Sequence, residues 1–299
     1  MKFINQIISI SFALTMVLGF SSCSENHFHE GKVLGGKYIE AEELNLGKQI
    51  YSEYCMACHG VKGDGKGVAA KGLVPPPRDF TKGLFKFGWV VSGERPTDKS
   101  LHKLIRHGLN GTAMLPWDMS HDQVQAVIQY IKTFAPEVWE GKDKTPAKMV
   151  SAGKDPFGLA RKAFAIEKGK EVYHVTAQCQ SCHRAYVSKA ELSSITYKLE
   201  GNYLNKGDFD PEMYKLKIQE TEWGFKNIPP DFTWHEVRSA SSVSEIAQRL
   251  AAGVGGTTMP AWKETITDEE IWAVAYYVRS LMDLKNTPER IEFINSLEK

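Results

Sequence analysis

The sequence predicts an all-α protein in which one helical unit occurs twice in tandem. Three observations carry this. The segments around Cys55 and Cys179 align well beyond those cysteines, apolar residues recur at spacings of three and four, and both copies close on a helix that starts at an S/T-x-x-E/Q capping box. Little in the chain alternates with the period of two that a strand requires.

Composition sets the frame. With 299 residues, 42% of them hydrophobic and 24% charged, the chain is long and apolar enough for two ordinary domains. Lys and Arg total 37 against 36 Asp and Glu, so the net charge of +1 gives no reason to expect nucleic acid as a partner. Any docking charge must be local.

Residues 1–22 read as a secretion signal. Met1 and Lys2 lead into an uncharged apolar run from Ile7 to Phe20, closed by Ser21 and Ser22. That run is shorter than the roughly 20 residues a bilayer span needs. Cys23 then follows two small residues, which resembles the lipobox of bacterial lipoproteins, with Phe20 where that pattern usually has Leu. The resemblance implies export and lipidation of Cys23, which would anchor the protein at the periplasmic side of a membrane. Plain cleavage nearby, or an uncleaved anchor beginning near Phe3, are the alternatives. Residues 23–39 are expected as an N-terminal tether.

The first unit is expected over 40–140. Leu46, Ile50 and Tyr54 give its opening helix an apolar face that leads into Cys55-Met56-Ala57-Cys58-His59. Pro75-Pro76-Pro77-Arg78-Asp79-Phe80-Thr81 follows, and then Gly108-Leu109-Asn110-Gly111-Thr112-Ala113-Met114. Ser120 with Gln123 starts the closing helix, whose buried face is Val124, Val127, Ile131 and Phe134. Lysines, Gly153, Pro146 and Pro156 mark 141–158 as a linker.

The second unit, 159–285, repeats each element. Phe164, Val172 and Tyr173 precede Cys179-Gln180-Ser181-Cys182-His183, with two more residues between Gly169 and the motif than between Gly47 and Cys55. Pro229-Pro230-Asp231-Phe232-Thr233 and Gly253-Val254-Gly255-Gly256-Thr257-Thr258-Met259 come next. Thr267 with Glu270 caps the closing helix of Ile271, Val274, Val278 and Leu281. His59 to Met114 spans 55 positions and His183 to Met259 spans 76, so the second unit carries an insertion, expected as a surface loop or short helix between Glu191 and Asn227. Thr287-Pro288-Glu289 starts a short tail helix over 286–299.

Cys-x-x-Cys-His has a specific chemical use. The two thiols add to the vinyl groups of a haem and the adjacent His gives iron its proximal nitrogen, because one turn of backbone presents all three groups to one edge of the macrocycle. Cys55, Cys58 and His59 form one set and Cys179, Cys182 and His183 the other, so two covalently bound haem c groups are the expected cofactors. A redox dithiol would not need a His after it twice. The sixth iron ligand is expected to be Met114 in one unit and Met259 in the other, since both fill the same place in a Gly- and Thr-rich loop that lets backbone approach a cofactor. His107, His121 and His235 are the rivals, and none has a counterpart in the other copy. A thioether is soft and neutral, so it raises the reduction potential relative to a second His.

On these residues each unit resembles a class I cytochrome c domain, and the chain as a whole resembles bacterial dihaem cytochromes c. The resemblance implies a helical wrap around each haem, with first and last helices crossing near Gly47 and Tyr130 and near Gly169 and Tyr277. It also implies a proline carbonyl that orients the proximal His, with Pro75 and Pro229 as candidates. Arg78 is read either as a partner of a haem propionate or as surface charge, and Trp117 and Trp262 either as propionate contacts or as packing.

The expected function is electron transfer in a respiratory chain outside the cytoplasmic membrane, as a shuttle or as a subunit of a membrane-associated redox complex. Redox proteins are the expected partners. The basic stretch from Lys62 to Lys86 is read either as a rim that guides an acidic partner or as a solvated loop. A dihaem peroxidase is the competing reading, and a gas sensor a third. Both need an open sixth position on one iron.

Overall fold

A computed structural model describes residues 27–297, so the signal segment and Cys23 lie outside the described residues. The main helices are α1 (Ala41–Tyr54), α2 (Asp98–His107), α3 (His121–Lys132), α4 (Lys162–Glu171), α5 (Lys189–Glu200), α6 (Val243–Ala252), α7 (Asp268–Met282) and α8 (Glu289–Leu297). Among the described residues the strands form two antiparallel hairpins, Lys32–Leu34 with Lys37–Ile39 and Gln219–Glu220 with Lys226–Asn227. The all-α expectation holds.

Each domain is built on one helix crossing. At Gly47 of α1 an added Cβ would lie 2.1 Å from the Ala126 carbonyl oxygen of α3, and at Gly169 of α4 it would lie 2.0 Å from that of Ala273 in α7. Tyr130 and Tyr277 pack beside these glycines. Both closing helices begin at complete capping boxes, Ser120 with Gln123 and Thr267 with Glu270, and bury the expected apolar faces except for Phe134, which lies beyond the end of α3 and is half-buried. The opening helices differ from expectation. Leu46 is 38% exposed and Phe164 55%, while Leu44, Gly47, Ile50 and Tyr51, and in the second copy Ala165, Gly169, Val172 and Tyr173, face inward. Where another backbone comes this close the helix face needs a glycine, and the larger residues of that face, Ile50 and Tyr51 or Val172 and Tyr173, pack beside the crossing.

The two extra residues before the second motif have a structural home. After α4 the chain enters a π-helical turn at Val172–Thr176, and Gln178 then takes a left-handed conformation immediately before Cys179. The π turn buries His174, whose Nδ1 donates to the Lys170 carbonyl at 2.8 Å and whose Nε2 accepts from the Tyr186 backbone N–H at 3.1 Å.

Three flanking segments are more integrated than their composition suggested. In the described part of the expected tether, the first hairpin packs Leu34 and Ile39 against Leu44, Ala135 and Trp139, and Gly35 N–H donates to the Trp139 carbonyl at 2.7 Å. Along 141–158, Ala152 and Phe157 join the second domain's core, Trp272 Nε1 donates to the Ala152 carbonyl, and Ala147 and Val150 N–H groups donate to the Arg95 and Trp89 carbonyls of the first domain. This segment is strapped to both domains instead of hanging between them. The insertion carries α5 and a small core of its own, in which Leu192, Ile195 and Met213 cover Val175, Ala185 and Val187.

Candidate haem sites

Cys55 ends α1, and Met56–His59 forms a single helical turn beyond it. His59 N–H donates to the Cys55 carbonyl at 2.9 Å, as His183 N–H donates to that of Cys179 at 2.9 Å, so one turn carries both thiols and the imidazole in each domain. Cys55, Cys58, Cys179 and Cys182 are free thiols. Burial pushes Cys55 and Cys179 up to about 12. A redox dithiol needs a thiolate stabilised near neutral pH, so these surroundings disfavour that chemistry.

The two motif histidines are held by one recurring device. His59 Nδ1 donates to the Arg78 carbonyl at 3.0 Å, and His183 Nδ1 reaches the Pro230 carbonyl at 3.5 Å. Arg78 and Pro230 hold equivalent places, each immediately before an Asp-Phe-Thr triplet, so the acceptors are these residues and not Pro75 or Pro229. The triplet explains the choice. Asp79 Oδ1 accepts from Thr81 N–H and hydroxyl, and Asp231 Oδ1 accepts from Thr233 in the same way, which turns the preceding carbonyl toward the ring. Phe80 and Phe232 then stack on the imidazoles with centroids 4.4 and 5.0 Å away.

Burial lowers the pKa of both histidines, that of His183 to about 4, so both rings are neutral at neutral pH. A neutral ring that donates from Nδ1 keeps its Nε2 lone pair for a metal. On the other side of each motif Tyr51 OH donates to the Gly60 carbonyl at 2.7 Å and Tyr173 OH to that of Arg184 at 3.0 Å, pinning the residue after each His. The repeat singles out these Tyr, Asp and Phe positions, but motif reading assigns them no role.

The methionine loops match bond for bond. Leu109 N–H donates to the Met114 carbonyl and Val254 N–H to that of Met259. Thr112 and Thr257 hydroxyls accept from the Met N–H groups at 3.1 and 3.2 Å and donate to the Leu109 and Val254 carbonyls. Gly108 and Gly253 end α2 and α6 at φ +64° and +69°, where a Cβ would strike the loop backbone at 2.4 and 2.6 Å. Met114 packs on the apolar cluster that also takes Cys55 and Trp117, and Met259 on the one that takes Cys179 and Trp262. Each domain thus brings one thiol and one thioether to a single apolar cluster, stacks the imidazole on a phenylalanine of that cluster and carries the second thiol on the same turn, a donor set that fits haem c.

The rival histidines are engaged in other ways. His107 Nδ1 bonds the Lys103 carbonyl, His235 Nδ1 accepts from Asp231 N–H, and His121 lies against His102 with ring centroids 4.9 Å apart.

Residues 42–131 and 164–278 match the family described as cytochrome c oxidase, cbb3-type, subunit III, and together make up more than half of the chain. Among solved structures, a chain of the reducing HAO-like protein complex of Kuenenia stuttgartiensis is similar at 30% identity and a TM-score of 0.61. The similarity covers 79% of this chain and 95% of that one. No curated protein matches.

Proposed function

Because the chain belongs to the family of cbb3-type cytochrome c oxidase subunit III, a family of c-type cytochromes that bind haem c, we propose that it is a dihaem electron carrier. The observation that supports two haems is the duplicated donor set. Each family-matched segment holds its own Cys-x-x-Cys-His turn, its own carbonyl on the His ring and its own methionine loop. A bound haem c supplies one-electron exchange at its iron.

The chain's own groups decide what that exchange serves. His59 with Met114, and His183 with Met259, would hold the iron of each haem, and a donor from the chain on both sides of the iron would favour the carrier over a peroxidase. The similar structure is part of a protein complex, which supports redox proteins as partners. Lys62, Lys66 and Lys71 are exposed, as are Val61, Val68 and Val74 on the same stretch of chain, and this mix of basic and apolar side chains suits an acidic redox protein. The signal segment and lipidated Cys23 would hold the carrier at the periplasmic face of a membrane, within a respiratory chain.

Expression in a cytochrome-maturing host tests this. Intact mass is expected to show two covalent haems, the oxidised protein a Met-to-iron charge-transfer band with intensity for two sites, and the reduced protein poor carbon monoxide binding. Met114→Ala or Met259→Ala should open one iron to carbon monoxide. A single haem, or ready carbon monoxide binding with peroxide turnover in the wild type, would overturn the reading.

A further inference from the structure

The two domains meet through one surface used twice. Asn110 N–H donates to the Arg238 carbonyl at 2.9 Å, and Gly255 N–H donates to the Lys86 carbonyl at 2.9 Å. Asn110 and Gly255 both hold third place in their methionine loops, and Lys86 and Arg238 both stand six positions after the phenylalanine stacked on the proximal His. The contact is therefore self-complementary, with both methionine loops turned toward the other domain. The insertion of the second domain closes it. Trp223 lies 4.9 Å from the Arg78 guanidinium and Phe225 lies 5.0 Å from the Lys86 ammonium. Gly256 makes room for Trp223, since a Cβ there would sit 2.0 Å from the indole.

Arg78, Lys86, Arg238 and Arg249 converge on this junction, and among the described residues none has a carboxylate within ion-pair distance. Acidic side chains on the neighbouring segments are engaged elsewhere: Glu245 with Lys103, Glu236 with Lys285, and Glu222 with Ser92. Arg249 is only 5% exposed, yet its donors meet neutral oxygens alone, on Ser239, Gly253 and Phe87. Burial holds it down at about 9, and burial together with Arg78 and Arg238 holds Lys86 at about 8. Arg249 is removed from water and Arg78 and Lys86 partly so, with no carboxylate in ion-pair distance to offset them, and Arg238 adds its charge at the exposed rim, so the cluster is built for an anionic ligand that the chain itself does not supply.

We propose that this junction is a shared carboxylate seat, in which cations of both domains hold the propionate groups of the two haems. It rests on the dihaem reading above. Each domain then sets the charge around its neighbour's haem as well as its own, and the insertion that carries Trp223 and Phe225 shields the seat from water.

Redox titration of holoprotein already shown by mass to carry two haems tests this apart from that reading. Arg238→Gln, at the exposed rim, and Arg249→Gln each remove a positive charge and so favour oxidised iron. The redox equilibrium of the second domain's haem is expected to shift about tenfold, which is about 59 mV downward, and that of the first domain's haem should shift in the same direction by less. Arg238→Lys and Arg249→Lys should retain the wild-type potentials. Glutamine variants that keep two haems and a native unfolding midpoint, yet move neither potential or only that of the second domain, would overturn the proposal. So would wild-type potentials that follow added phosphate at constant ionic strength, because the seat would then take a free anion.

Discussion

Gly169→Ala is expected to destabilise the second domain by about 3 kcal/mol, at the upper end of what overpacking costs. The added Cβ would sit 2.0 Å from the Ala273 carbonyl oxygen, so α4 and α7 would have to separate by more than 1 Å at the crossing on which the core is built. Alanine's better helix propensity returns only about 1 kcal/mol of stability at such a position. Gly207→Ala makes a suitable control, since nothing lies within 4 Å of its Cβ direction. Denaturant unfolding of holoprotein checks the pair. A Gly169→Ala midpoint equal to that of the control would mean that the two helices do not cross as closely as described.

Acid should weaken the same domain through His174. Burial holds this ring at about 4, well below its ordinary 6.5. Above pH 6.5 the ring is neutral in both folded and unfolded chain, and its contribution is fully present. As pH falls from 6.5 toward 4 the unfolded state takes up a proton that the folded state refuses, so stability drops by up to about 3 kcal/mol. His174→Gln removes the titration while offering an acceptor to Tyr186 N–H and a donor to the Lys170 carbonyl. Urea unfolding of both proteins from pH 7 to pH 4 should show a shallower loss in the variant, and equal slopes would assign the acid sensitivity to other groups.

The legibility of this chain follows the distances over which its groups act. Cys55, Cys58 and His59 lie within one turn of backbone, so their chemistry is a local property that spacing alone reveals, and the same holds for the capping boxes at Ser120 and Thr267. Repetition extends that reach, since two loops ending in Met114 and Met259 can be matched to each other without knowing what either one touches. The orientation of the His59 ring is already less accessible. His59 and Arg78 are 19 residues apart, and the acceptor is a backbone carbonyl, which leaves no mark in residue type. Only the neighbouring Asp-Phe-Thr triplet signals it.

By itself the sequence determined that this is a helical protein that repeats a Cys-x-x-Cys-His turn and a methionine loop, because periodicity, capping and motif spacing act within a few turns of chain. Tertiary structure alone decided which face of α1 and α4 is buried, since that depends on how closely another backbone approaches Gly47 and Gly169. It also decided that the hairpin at 32–39 and the strap at 141–158 are packed parts of the fold, because Leu34 and Phe157 find their partners far along the chain. The junction lay furthest from view. Arg78 meets Trp223, and Gly255 meets Lys86, only after two separately folded cores have come together, and long-range charge and contact of that kind have no period to read.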